Sequence, residues 1–519
     1  MAAALLLTMG DYGMSWDEMT RWDSGDLKLQ YFERLVGEGG SVWGSAGAND
    51  VYPGLFDLPL AAYAKYVGGD RVLAGHLYTI FFAVLAVCGA GLIGREVGGW
   101  RLAFWSSLFL ALLPRFYGHA VFNPKDIPFA ATYTWALWGV IQVARGMPDG
   151  KFRRWVGAGL LAGLAMSTRL PGMIVLAYLF GLLAYRFVSQ SIPTDGRRWR
   201  PPPRSELLDG IGGYVVASVC ALVLLLFVFP GSHVNPFASS AKVVSKLHDF
   251  SQSIPVLFRG QVYDAGTTPW YYLPWMLLMV TPVWQLLLLL VGVGFALRSI
   301  VAQYLRKVWW PADVLPLGVT CLGFAFPLLY ILVTQPAIHN GVRHAMFVLP
   351  AGAVLMGYGL TQFMDWIGKT RRLGLIAGYV LVSGLVATNV FTLIQLHPYQ
   401  YVYFNRLVGG PSAALGWYET EYWFTSMADG FRELEAWRRE QGLPDEPVKV
   451  MVTGPLEIAE YQLPDGWVLT QSARDANYFL GNTQFAGHLL VEGEEIVVIG
   501  RMGLPILVVK KLPSLGPTN

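Results

Sequence analysis

Long apolar runs separated by short polar connections dominate the chain. Leu73 to Ile93, Val215 to Phe229 with its flanks, and Leu273 to Leu297 reach the roughly 20 residues that a helix needs to cross about 30 Å of hydrocarbon. A run of this kind must satisfy its backbone internally in a bilayer, so helices are expected. Full crossings are predicted at 72–94, 102–118, 127–144, 210–230, 272–297, 314–333, 345–363 and 373–395. Trp155 to Val188 is short for two spans, yet basic connections flank it on both sides and require an even number of crossings. Two short helices meeting at Thr168-Arg169-Leu170-Pro171-Gly172 satisfy that requirement. The fold class expected is therefore a polytopic α-helical membrane protein with about ten spans.

Ala2 to Met9 is apolar but too short to span, and it lacks the basic n-region of a signal peptide. It reads as the end of a first membrane helix clipped by the choice of start codon. In the connection that follows, Leu27, Leu29, Phe32, Leu35 and Val36 recur at helical spacing among Lys28, Glu33 and Arg34, as in an amphipathic helix lying along the interface. Beyond residue 395 the pattern changes to that of a small α/β domain. Met427 to Gln441 is helix-like and Val448 to Thr453 strand-like. Glu495 to Gly500, Arg501-Met502-Gly503 and Leu504 to Lys511 form a closing hairpin, with Pro505 favouring an edge position. The division expected is a transmembrane domain over 1–395, with its first outer loop at 10–71, and an extracytoplasmic α/β domain over 396–519.

Composition supports a bilayer as solvent: 54% of the 519 residues are hydrophobic and 14% charged. A net charge of +3 says little about acidic partners, but the placement of the cations is informative. Arg95 and Arg101, then Arg145, Lys151, Arg153 and Arg154, then Arg186, Arg197, Arg198, Arg200 and Arg204 crowd three connections; Arg298, Arg306 and Lys307, and Lys369, Arg371 and Arg372, crowd two more. The positive-inside rule makes these five cytoplasmic. Loops 10–71, 115–126, 231–271 and 334–344, and the tail after Gln395, are then outside, in a multi-pass membrane protein. Cys88, Cys220 and Cys321 are scattered one to an apolar segment and suggest neither a disulfide framework nor a thiolate metal site.

Four outer segments carry candidate chemistry. Asp17-Glu18 opens the first loop, although Ser15 and Glu18 also have capping-box spacing. Arg115 to Asp126 holds Arg115, His119, Lys125 and Asp126 in one short connection, where Asp126 could equally cap the next helix. Arg169 sits in the turn between the two short helices, a costly position unless it faces protein, water or an anion. His339 to His344 adds Arg343 and His344; for His339, reaching toward headgroups is the favoured reading. Carboxylates and cations facing one cavity suit displacement of a phosphate, the carboxylate deprotonating a hydroxyl while Arg and Lys hold the departing oxyanion. Val36 to Gly47 is Gly-rich but lacks the strand-turn-helix setting of a nucleotide site, and no Walker loop, HExxH or nucleic-acid module occurs.

An ordered set of segments resembles the polytopic glycosyltransferases of the GT-C superfamily, specifically family 39 and its dolichyl-phosphate-mannose-protein mannosyltransferase-like bacterial members. The carriers are Asp17-Glu18, PRFYGHAVFNPKDIPFA (Pro114–Ala130), TPWYYLPW (Thr268–Trp275), HNGVRH (His339–His344) and HPYQYVYFNRLVGG (His397–Gly410). The resemblance implies a polyprenyl-phosphate-linked sugar donor, a lipid, glycan or protein acceptor, inverting transfer to a hydroxyl or amine, and no essential metal. A divalent ion on Asp17 and Asp126 is the variant to exclude. It also implies Asp17 as general base, Glu18 assisting acceptor placement, Asp126 as second acid, and Lys125, Arg169, Arg343, Arg115 and His344 on the donor phosphate. A transporter or flippase for a lipid-linked saccharide, and an inactive membrane scaffold, are the competing readings. Neither the sugar nor the acceptor is specified by the sequence.

Overall fold

The computed structural model describes residues 1–37, 52–147, 152–191, 202–234, 253–308, 310–369, 372–444 and 446–513. The Gly-rich stretch from residue 38, and Lys151, Arg197, Arg198, Arg200 and Arg371, lie outside the described residues. The helices are α1 Ala2–Thr8, α2 Trp16–Gly37, α3 Asp57–Tyr66, α4 Arg71–Ala111, α5 Pro114–His119, α6 Asp126–Gly146, α7 Phe152–Thr168, α8 Ile174–Ser191 and α9 Arg204–Val228. There follow α10 Tyr272–Val280, α11 Val283–Leu305, α12 Leu315–Thr334, α13 Leu349–Gly368, α14 Arg372–Leu396, α15 Met427–Glu440 and α16 Leu456–Gln462. Among the described residues seven helical segments are long and apolar enough to cross a membrane. The chain is a multi-pass helical membrane protein.

Most of the expected spans appear where the apolar runs placed them. α4 is two legs, broken where Gly98 leaves helical geometry and Gly99 takes φ 77°. Its second leg ends at Ala111, short of the expected 118, because Leu113 is extended and Pro114 starts α5. The expected span at 272–297 is likewise divided. Pro282 cannot donate and holds Thr281 extended, so α10 is a separate short helix and the long apolar helix is α11. α7 and α8 meet at Arg169, followed by a 3₁₀ turn over Leu170–Met173.

The segment Arg343–Gly368, which contains α13, is the axis of the bundle: 83% of its most apolar window is buried in protein, against 11% for α14, whose apolar side chains are mostly exposed. Small residues let helices approach where no hydrophobic drive separates protein from lipid. A Cβ on Gly163 of α7 would lie 2.9 Å from Ala221 Cα of α9. Polar side chains fasten α14. Asn389 donates to Gln285 Oε1 (3.1 Å) and accepts from Trp284 Nε1 (3.1 Å), while Gln285 donates to the Phe109 carbonyl (3.1 Å).

α2 is a helix as expected, but its inward face carries buried charges beside Trp22 and Tyr31. Arg21, Ser24 and Lys28 recur at helical spacing and are buried against Asp57 of α3, while Leu35 and Val36 are exposed. The apolar periodicity therefore does not mark the buried face, because a carboxylate waits on the partner helix.

Beyond α14 the chain runs across α5 and then builds a five-stranded sheet. Its strands, after a separate hairpin of β1 Pro255–Phe258 and β2 Gln261–Asp264, are β3 Lys449–Val452, β4 Val468–Leu469, β5 Tyr478–Asn482, β6 Glu494–Arg501 and β7 Leu504–Lys511. Their order is β4-β3-β5-β7-β6, with β3 parallel to β4 and β5, and β7 antiparallel to β5 and β6. Met502 and Gly503 take the left-handed conformations that a two-residue hairpin turn requires. Pro505 is not on an edge strand: β7 lies inside the sheet, and Pro505 is accommodated near its start, beside the irregularity at Ile499/Gly500.

Candidate active site

Loops from distant parts of the chain converge at the end of the bundle that carries the α/β unit. Asp17 lies in the first turn of α2, Asp126 in the first turn of α6, Arg169 in the α7–α8 turn, and Arg343 just before α13. Helix N-termini favour carboxylates at the first two positions.

All four oxygens of the two aspartates face donors. Lys125 Nζ reaches Asp17 Oδ1 at 3.1 Å and Arg343 Nη2 donates to Asp17 Oδ2. Asp126 Oδ1 accepts from Arg169 Nη1; Asp126 Oδ2 accepts from Arg343 Nε at 3.2 Å and from Asn123 Nδ2 at 3.0 Å. Arg343 therefore bridges both carboxylates, and its guanidinium lies 4.4 Å from the Trp423 ring centroid. Burial pushes the Asp17 carboxyl upward, but Arg343 and Lys125 more than offset it and hold it below the usual carboxylate range. Two negative and three positive groups leave the immediate cluster with one surplus positive charge.

Glu18 stands apart. Its Oε2 accepts from the Ser15 N–H (2.7 Å) and hydroxyl (3.1 Å), and its Oε1 lies 3.4 Å from His76 Nε2. Glu18 thus caps α2, one half of the capping box, while the Ser15 hydroxyl also donates to the Phe122 carbonyl (2.8 Å) and ties α2 to the Lys125 loop. Arg115 is one layer behind the carboxylates: it donates to the Tyr422 hydroxyl (3.3 Å) and the Tyr403 carbonyl (3.2 Å), and stacks 4.9 Å from the Phe404 ring centroid. His344 meets the ring of His339 edge-on at 4.7 Å. Burial, helped by Arg343, pushes His339 down to about 3, so its imidazole is neutral in this buried position.

Several side chains join the site without having been singled out in the sequence. Tyr52 lies between two cations, with Arg21 at 4.6 Å and Lys125 at 4.8 Å from its ring. Burial raises its phenol, but Lys125 and Arg169 outweigh that and leave it lowered. Asn123 links Asp126 to His119 (2.8 Å), whose other nitrogen meets the Tyr422 hydroxyl at 3.1 Å. Tyr422 and Trp423 belong to the stretch 418–426, which closes over the cluster from the α/β side. The fit is close at two glycines. A Cβ on Gly118 would fall 2.3 Å from the Tyr401 nitrogen, and one on Gly13 would fall 2.0 Å from the Thr425 carbonyl oxygen.

Residues 60–194 match the family model for dolichyl-phosphate-mannose-protein mannosyltransferase. That stretch contains Arg115, Lys125, Asp126 and Arg169; Asp17, Glu18, Arg343 and His344 lie outside it. The curated proteins provide no match to the chain. Among solved structures, ArnT from Cupriavidus metallidurans bound to undecaprenyl phosphate is similar with a TM-score of 0.49 and 14% identity, covering 100% of this chain and 98% of that one. The oligosaccharyltransferase AglB from Archaeoglobus fulgidus, in complex with an inhibitory peptide and a dolichol-phosphate, gives a TM-score of 0.47 at 13% identity, covering 93% of this chain and 68% of that one.

Proposed function

We propose that the protein is a membrane glycosyltransferase that moves a sugar from a polyprenyl-phosphate-linked donor to an acceptor hydroxyl or amine on the extracytoplasmic side. The observation that carries this reading is the charge balance of the cluster. A sugar–phosphate–prenol diester bears one negative charge, which the surplus cation neutralises. In the transfer the acceptor oxygen attacks the anomeric carbon, its proton passes to Asp17, and the bond from that carbon to the phosphate oxygen breaks with its electron pair. The prenyl phosphate leaves with one charge more and Asp17 with one fewer, so the site stays neutral throughout. A single displacement inverts the anomeric centre.

Asp17 is a poor base while Arg343 and Lys125 hold it low. Recruitment of those cations by the donor phosphate releases it, so donor binding itself raises its basicity. Asp126 keeps Arg169 and Arg343 in place, and Tyr52 adds a phenol donor beside Lys125. Lys125, Arg169 and Arg343 perform the charge stabilisation that a divalent ion would supply elsewhere, and all four carboxylate oxygens already face donors. Transfer should therefore survive exhaustive chelation; loss of transfer restored by magnesium or manganese would reject that part of the reading.

The test of the function is radiolabelled sugar transfer by purified protein from a polyprenyl-phosphate sugar to extracted cell-envelope glycolipids and glycans. A new glycosidic bond supports the reading. Movement of the intact lipid across liposomes, with no bond formed, would replace it with a transporter.

A further inference from the structure

The loop carrying Arg343 rests on a carboxylate of the 418–426 stretch. Glu419 is buried, and its Oε2 accepts from the Tyr272 hydroxyl (2.9 Å) and the Gly341 N–H (3.2 Å). Asn340 and Gly341 take φ 58° and 66°, two successive left-handed residues whose N–H groups curl into an anion-binding concavity. The Asn340 amide satisfies both of its neighbours in one orientation. Its nitrogen then donates to Glu419 Oε1 (3.3 Å) and its oxygen accepts from Arg343 Nη1 (3.2 Å).

We propose that Glu419 is a positioning residue for Arg343, acting through the amide of Asn340. Because one oxygen of Glu419 accepts, Asn340 must present its own oxygen to the guanidinium, which leaves Nε and Nη2 of Arg343 aimed at Asp126 and Asp17. The stretch 418–426, which leads directly into the α/β unit, thereby sets the geometry of a cation in the bundle. That unit is anchored to the stretch: Gln484, just beyond β5, accepts from the Thr420 N–H at 3.2 Å. The groups facing Glu419 are Tyr272, Tyr422 and Arg115, with Arg343 behind Asn340. Burial raises the Glu419 carboxyl to about 7, against the pull of its hydrogen bonds, so the relay weakens as pH falls through neutrality.

The inference rests on the donor-phosphate role given to Arg343 above, and its test needs no sugar transfer. Binding of undecaprenyl phosphate in detergent micelles is measured for the wild type, Glu419→Gln, Asn340→Asp and the double variant. Glu419→Gln brings an NH₂ group toward the Asn340 nitrogen, and Asn340→Asp sets two carboxylates together; each should weaken binding about tenfold. In the double variant the new amide at position 419 donates to the new carboxylate at position 340, which accepts from Arg343, so binding should return to within about threefold of wild type. Wild-type binding in Glu419→Gln, or a double variant no better than the single ones, would overturn the proposal. If Glu419→Gln does not fold, Asn340→Ala leaves the Glu419 bonds to Tyr272 and Gly341 intact; it must show the same loss, and wild-type binding there would overturn the proposal equally. The acid-side weakening near pH 7 should be steeper in wild type than in the double variant, which keeps only the weakening from protonation of the ligand's own phosphate; identical pH profiles would contradict the relay. A wild type that binds but never transfers sugar would reject the proposed function and leave this inference standing.

Discussion

Arg343 touches both carboxylates and the face of Trp423, a set of contacts that no other cationic side chain could reproduce. Arg343→Lys keeps the charge but cannot span two aspartates, and should lower transfer by about 10²-fold. Asp17→Asn removes the base and should lower the rate by about 10²- to 10⁴-fold, while binding undecaprenyl phosphate at least as tightly because Arg343 and Lys125 are freed. Its folded value lies below the usual carboxylate value, so the Asp17 ion pairs stabilise the protein above about pH 4 and are lost as pH falls through the lower folded value. The acid limb of thermal stability should accordingly be shallower in Asp17→Asn; an unchanged limb would show that its pairs contribute nothing. Lys125, Asp126 and Arg169 were legible in the sequence because charged groups at membrane depth are conspicuous, whereas Asp17 and Arg343 were picked out by the ordered segments of the resemblance. Tyr52, Asn123 and Glu419 were not, since each gains its place only when loops far apart in sequence meet. Glu18 was ambiguous from spacing alone; one of its oxygens is taken by the helix cap and the other faces His76.

At the scale of the element, apolar length located the crossings, and single residues decided where they stop. Gly98-Gly99 folds α4 in two, and Thr281-Pro282 separates α10 from α11. Periodicity was a poorer guide for α2, whose buried stripe of Arg21, Ser24 and Lys28 is polar because Asp57 faces it. The crossing of α7 with α9 depends on backbone proximity, so Gly163→Leu should destabilise the protein by about 1–3 kcal/mol in a thermal or denaturant series. Stability equal to wild type would show that the two helices can separate freely. Gly118→Ala has a different consequence. It pushes α5 from the 400–401 backbone and with it the loop bearing Lys125 and Asp126, so transfer should fall more than stability does.

The whole molecule places its ionised cluster and its α/β unit at one end of the bundle, with 418–426 connecting them. The alternation of basic loops predicts that this end is extracytoplasmic. Cysteines at Arg306 and Asp465, both exposed, in a chain whose own three cysteines are replaced, would report the side directly. An impermeant maleimide added to intact cells should label position 465 and spare 306; the reverse pattern would invert the topology. The central claim, that this cluster transfers a sugar from a prenyl phosphate with Asp17 as base, is tested most directly by comparing purified wild type with Asp17→Asn. Both should bind undecaprenyl phosphate, and only the wild type should form a glycosidic bond from the polyprenyl-phosphate sugar at an appreciable rate. Equal transfer by the two proteins would contradict the account.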